Sequence, residues 1–142
     1  MAIDDPKTLV STAWLAAHLD DPDLRILDAS YYLPDAGRDG RAEYAAAHIP
    51  GARYFDINEI ADARSALPHM AAPPEKFMSR MRALGVGDGH QVVVYDGAGL
   101  FSAARVWWNF RLMGKTDIAV LDGGFPKWKA EGHPVEDMEP II

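Results

Sequence analysis

Apolar positions along this chain fall into short runs and amphipathic stripes that alternate almost from end to end. Thr12 to Leu19 reads as a helix capped by Ser11, and Leu24 to Asp28 as a strand between Asp21-Pro22 and a polar loop. Arg41 to Ala47 is a short alanine-rich helix stopped by His48-Ile49-Pro50-Gly51, and Arg53 to Ile57 a further short strand. Pro73-Pro74 opens the next helix, since proline in a first turn forfeits no intrahelical bond. Phe77, Met81 and Leu84 then form one apolar stripe at i, i+4 and i+7, and Gly85 closes it. Gln91 to Tyr95 is a continuous β-branched run, the pattern of a strand buried on both faces. Ser102 is the expected N-cap of a helix through Leu112 that ends at Gly114. Ile118 to Leu121 is another strand, and Phe125 to Glu131 a last helix closed by Gly132.

Strands separated by helices favour a parallel sheet, because parallel neighbours need crossover connections. The expectation is an α/β domain: an open, mostly parallel sheet with helices on both faces and its functional end where strands finish and helices begin.

Composition narrows the chemistry. With 142 residues and 49% hydrophobic content the chain suffices for one globular domain with a real core. A net charge of −7 argues against a nucleic-acid surface, which needs a basic stripe. No apolar run approaches the ~18 residues of a membrane span. Met1 to Pro6 carries two aspartates and no apolar stretch, so it does not read as a secretory signal, and the cytoplasm is the expected compartment. The chain contains no cysteine, which excludes disulfides, thiolate metal sites and thiol nucleophiles.

Other candidate groups remain. His18, His48, His90 and His133 show no ligand spacing and no partner carboxylate legible in the sequence, so neither a metal nor a cofactor is expected from them. Asp28, Asp96 and Asp122 lie at the ends of strands. Three carboxylates there suit a magnesium-dependent phosphoryl-transfer domain, or simply the bonding of turn amides and the capping of helices. Trp107, Trp108 and Phe110 read as core or domain-contact residues.

Several stretches together resemble the rhodanese family. His48-Ile49-Pro50-Gly51-Ala52 is similar to its HIPGA segment. Leu121-Asp122-Gly123-Gly124-Phe125-Pro126-Lys127-Trp128, followed by Gly132-His133-Pro134-Val135, resembles its C-terminal signature. Arg105-Val106-Trp107-Trp108 and Asp28-Ala29-Ser30-Tyr31-Tyr32-Leu33-Pro34 are narrower and resemble the N-terminal domain of thiosulfate and 3-mercaptopyruvate sulfurtransferases. The likeness runs in order from about Leu9 to Val135, and 136–142 reads as the start of an interdomain linker.

In catalytic members of that family, the loop after the central strand carries a cysteine that cycles between thiolate and persulfide, cradled by amides leading into a helix. The corresponding loop here is Gly97-Ala98-Gly99-Leu100-Phe101-Ser102-Ala103, with glycines but no sulfur. Ser102 is no substitute, because a hydroxyl cannot store a persulfide. The resemblance therefore implies a vestigial site in an inactive domain whose partner is a second rhodanese domain in the same polypeptide, acting on a small anionic sulfur donor. It also implies auxiliary residues. His69 matches a family histidine near the partner domain's cysteine, while Asn58 stands where the family has an aspartate. Neutral Asn58 orients an imidazole without stabilising its cation as a carboxylate does. A stand-alone, inactive rhodanese-like module binding a partner or an anion is the alternative.

Overall fold

The computed structural model describes residues 4–32, 37–56, 74–87, 89–97 and 102–138. Five strands lie among them: β1 (Leu9–Val10), β2 (Leu24–Asp28), β3 (Arg53–Tyr54), β4 (Gln91–Tyr95) and β5 (Ile118–Leu121). Between and after them run α1 (Thr12–His18), α2 (Gly40–Ala46), α3 (Pro74–Ala83), α4 (Ala103–Leu112) and α5 (Gly124–Ala130). The strands form one sheet in the order β1-β5-β4-β2-β3, and every pairing is parallel.

Side-chain alternation builds a core on each face of this sheet. Leu27, Val92, Val94, Ile118 and Val120 pack on one side with Phe77 and Met81 of α3 and Val106 and Phe110 of α4. Leu24, Ile26, Val93, Tyr95, Ala119 and Leu121 pack on the other with Leu15 of α1, Tyr44 of α2 and Trp128 of α5. The helices thus cover both faces, as the pattern predicts. Val92, Val93 and Val94 are fully buried. Each contributes about 1.5–3 kcal/mol by leaving water, so a strand of three is a strong anchor.

The expected strands β2, β4 and β5 and helix α4 have the bounds read from the sequence. Helices α2 and α5 each begin and end one residue earlier than expected, and α1 ends at His18 instead of Leu19. At α2 the cause is Asp39, whose side chain accepts from the Ala42 N–H at 3.2 Å and starts the helix at Gly40. Strand β3 ends at Tyr54; Ile57, expected to close it, lies outside the described residues. Strand β1 was not expected. At α1 the Ser11 cap is present, its hydroxyl accepting from the Trp14 N–H at 3.0 Å.

Register decides where the chemistry gathers. β2 and β4 pair from Leu24 opposite Gln91 to Asp28 opposite Tyr95. Asp28-Ala29-Ser30 and Asp96-Gly97 consequently leave the sheet side by side at its C-terminal edge, the functional end of an open parallel sheet.

Candidate functional site

The apolar run of β4 carries Asp96 to the mouth of α4. Its carboxylate Oδ2 accepts from the N–H groups of Ser102 at 2.8 Å and Ala103 at 2.7 Å. A helix N-terminus leaves such amides without intrahelical partners and favours negative charge beside them. Asp96, 1% exposed, fills both needs from within the chain. Its own carbonyl accepts from the Phe125 N–H at 3.0 Å, tying the entrance of α5 to the same point.

Ser102 occupies the N-cap position, but its side chain does not cap the helix, contrary to the sequence expectation. The hydroxyl donates instead to the Ala29 carbonyl at 2.5 Å. The physical reason is competition: a buried carboxylate is the stronger acceptor for the amides, leaving the hydroxyl to join β2 to α4. On the β2 side the Ser30 hydroxyl accepts from the Gly97 N–H at 2.9 Å. Of the loop Gly97 to Ala103 singled out from the sequence, Gly97, Ser102 and Ala103 have their amides bonded internally. Ala98, Gly99, Leu100 and Phe101 lie outside the described residues, as do Asn58 and His69.

Asp28 ends β2 at the rim of a cavity of about 440 Å³, bounded also by Ser30, Arg38, Glu43, Gly97 and Lys129. Burial pushes its carboxyl up to about 6, against the opposing pull of hydrogen bonds from Ser30 and Tyr95; the Asp96 charge adds to the rise. The Ser30 N–H donates to Asp28 Oδ1 at 2.9 Å. Across the cavity, Arg38 holds Glu43 through two nitrogens at 2.9 and 2.8 Å while lying 4.1 Å over the Tyr32 ring. The Arg38 pair holds the Glu43 carboxyl below its ordinary range. Tyr32 donates to Glu43 as well, at 3.0 Å.

The three strand-end aspartates have separate tasks. Asp28 bonds the Ser30 amide, Asp96 caps α4, and Asp122 faces Lys127 with Nζ at 3.9 Å. Among the described residues no group of three or more carboxylates and histidines is placed to hold a metal ion. Nor, among them, is any helix long and apolar enough to cross a membrane.

Of the aromatic group, Phe110 is core and Trp107 donates its indole N–H to the Ile118 carbonyl at 3.0 Å, whereas Trp108 is 53% exposed. Two histidines have the partner carboxylates that the sequence did not reveal. His48 Nε2 is 3.5 Å from Glu136 Oε1, and His133 Nε2 is 3.6 Å from Glu131 Oε1. The first pair spans 88 positions, a separation no spacing rule detects.

This arrangement orders a strand–helix junction and offers a polar cavity beside it, in a chain that contains no cysteine. The same architecture occurs in known proteins. The family model for the rhodanese-like domain matches residues 11–131. The chain is 50% identical over 135 residues to thiosulfate/3-mercaptopyruvate sulfurtransferase 1, mitochondrial, of Arabidopsis thaliana, covering 95% of this chain and 36% of that protein. It is 44% identical to the 3-mercaptopyruvate sulfurtransferase of Homo sapiens, covering 91% of this chain and 46% of the relative. The crystal structure of SseA from Escherichia coli, a 3-mercaptopyruvate sulfotransferase, superposes with a TM-score of 0.88 at 40% identity, over 94% of this chain and 52% of that one. The chain therefore spans less than half the length of these curated relatives. With its strand order, its two-faced core and a family match over nearly its whole length, the chain belongs to the rhodanese-like domain family and is homologous to the N-terminal domain of thiosulfate/3-mercaptopyruvate sulfurtransferases.

Proposed function

We propose that this chain is the N-terminal structural and regulatory domain of a sulfurtransferase that moves sulfane sulfur from thiosulfate or 3-mercaptopyruvate to a thiophilic acceptor. The catalytic cysteine would belong to a second rhodanese domain in the same polypeptide. The observation that carries this reading is Asp96. Its carboxylate is bonded to the Ser102 and Ala103 amides, the kind of position where a helix N-terminus would otherwise favour a thiolate or persulfide. A fixed carboxylate supplies the negative charge such a junction wants and cannot accept sulfur. The absence of cysteine from all 142 residues supports the same conclusion.

The test is sulfur transfer to cyanide. The 142-residue chain should turn over neither thiosulfate nor 3-mercaptopyruvate above a heat-killed control. Stoichiometric cyanolysable sulfur on the homogeneous protein would overturn the proposal. In a polypeptide that also contains the cysteine domain, His69→Ala should lower mercaptopyruvate turnover and leave folding nearly intact, while Asn58→Asp should preserve or raise it. Unchanged rates for both variants across pH 6 to 9 would remove His69 and Asn58 from the site.

A further inference from the structure

The helices α3 and α4, packed on the same face of the sheet, end in the same way. After α3 the chain turns at Gly85, with φ at 76°, and the Val86 N–H donates to the Met81 carbonyl at 2.8 Å. After α4 it turns at Gly114, with φ at 92°, and the Lys115 N–H donates to the Phe110 carbonyl at 3.0 Å. Such left-handed glycine turns fold the next residue back under the helix end. Val86 and Lys115 thereby both line a cavity of about 290 Å³ between α3 and α4, which shares no lining residue with the cavity beside Asp28.

The walls of this cavity are apolar and one end of it is cationic. Phe77, Met78 and Met81 come from α3, Phe110 from α4 and Met113 from the C-cap of α4. Three of the six methionines of the chain thus converge on one space, and Met78 is 59% exposed. Unbranched thioether side chains adapt to the shape of a guest, and covering an apolar side chain left in water is favourable. Arg82 and Lys115 supply the charge, and the Lys115 ammonium donates to the Gly87 carbonyl at 3.3 Å, beside Val86. Among the described residues that line the cavity, none is acidic. Two further cations stand at the end of α3, where Arg25 and Arg53 donate to the Gly85 and Leu84 carbonyls at 3.0 and 2.6 Å. Burial pushes the neighbouring His90 below its ordinary range, and the charges of Arg25, Lys115 and Arg53 push the same way against the pull of Asp23. In a chain of net charge −7, this end is locally positive.

We propose that this cavity binds a small aliphatic carboxylate, whose chain lies among the methionines and whose head group meets Arg82 and Lys115. The volume is at the small end for ligand cavities, which suits one compact chain and no nucleotide-sized guest. Shape admits the chain, and charge selects the carboxylate over an alcohol or an amine of equal length. Sulfur transfer plays no part in this site.

Octanoate titrated into the 142-residue chain with carbon-labelled methionine methyl groups tests this by NMR. The Met78, Met81 and Met113 signals should move together and saturate, with a dissociation constant of about 1 mM or below. Met138, 74% exposed and outside the cavity, should not move. Octanol and octylammonium should bind about fivefold more weakly or worse, and Arg82→Gln combined with Lys115→Gln should weaken octanoate about five- to tenfold. Both side chains reach solvent, so the fold should persist, and the alcohol and amine comparisons need no variant. Absence of saturation, an equal response at Met138, or equal affinity for the three octyl compounds would overturn the proposal. So would a double variant that binds octanoate as tightly as the parent.

Discussion

At the end of β2 the chain buries a carboxyl group, and burial raises Asp28 from its ordinary 3.8 to about 6. A raised carboxyl binds its proton more tightly in the folded chain than in the unfolded one. Its stabilising contribution is complete below about pH 3.8 and is lost as pH rises through about 6. The full loss is at most about 3 kcal/mol for a pKa change of this size. Asp28→Asn should flatten this fall, gaining about 1–2 kcal/mol relative to the parent at pH 8 over pH 4, because Asn keeps an acceptor for the Ser30 N–H and never ionises. Urea unfolding at the two pH values checks it, and a parent-minus-variant difference that does not change with pH removes Asp28 as the source.

Asp96 should behave in the opposite way under truncation. Asp96→Ala strands two amides at the start of α4, so a loss of about 2–3 kcal/mol is expected from a charged double acceptor. A shift in the urea midpoint worth under about 0.5 kcal/mol would place it among ordinary surface changes instead. Capping of the following helix is one of the readings the sequence offers for the three strand-end aspartates, and Asp96 does cap α4. Which amides it reaches, six and seven residues later, is set by tertiary placement that no local pattern encodes.

Gly40 opens α2 with its backbone pressed against Ser30, two residues past the end of β2, and this contact sets a test at the level of elements. A Cβ built there would lie 2.3 Å from the Ser30 carbonyl oxygen and 2.9 Å from its carbon. Alanine is the better helix former by about 1 kcal/mol. Gly40→Ala should nonetheless cost about 1–3 kcal/mol, since rigid backbone cannot rotate out of the way. Gly87→Ala, whose Cβ would come no nearer than 3.8 Å to His90, is the control and should stay within about 0.5 kcal/mol. Thermal melts of the two variants separate the cases; equal melting points would mean that the Ser30 backbone gives way to the added Cβ. The elements that were legible share this logic of contact. β4 announces itself because Val92, Val93 and Val94 are buried on both faces and nothing polar interrupts them. β1 does not, because two residues, one of them 38% exposed, show no period at all. Its pairing of Leu9 with Val120 and Val10 with Leu121 arises from the far end of the chain. For the same reason the helix shifts at α2 and α5 escaped notice, being set by a cap or a turn instead of by the apolar stripe.

Across the molecule, both faces of the sheet are covered, yet α4 turns large apolar groups outward. Trp108 is 53% and Leu112 54% exposed, and their four-residue spacing puts them on one stripe of the helix, opposite the buried Val106 and Phe110. The other described tryptophans differ: Trp128 is fully buried with its indole N–H donated to the Pro134 carbonyl at 2.7 Å, and Trp14 and Trp107 are partly buried. Arg105, three residues before Trp108, is exposed on the same side of the helix, so the apolar pair is flanked by a cation. An exposed aromatic–aliphatic pair on a stable helix binds hydrophobic dyes and collides freely with aqueous quenchers. Trp108→Glu combined with Leu112→Lys should therefore remove most dye binding and most iodide-quenchable fluorescence while moving the unfolding free energy by no more than about 0.5 kcal/mol per site. If a second rhodanese domain packs on this helix in a longer polypeptide, Trp108 should become shielded from iodide there while Trp128 stays unchanged. Undiminished quenching in the two-domain protein would show that its domains meet on another face, and a dye signal that survives the double substitution would show that the accessible apolar surface of this chain lies elsewhere.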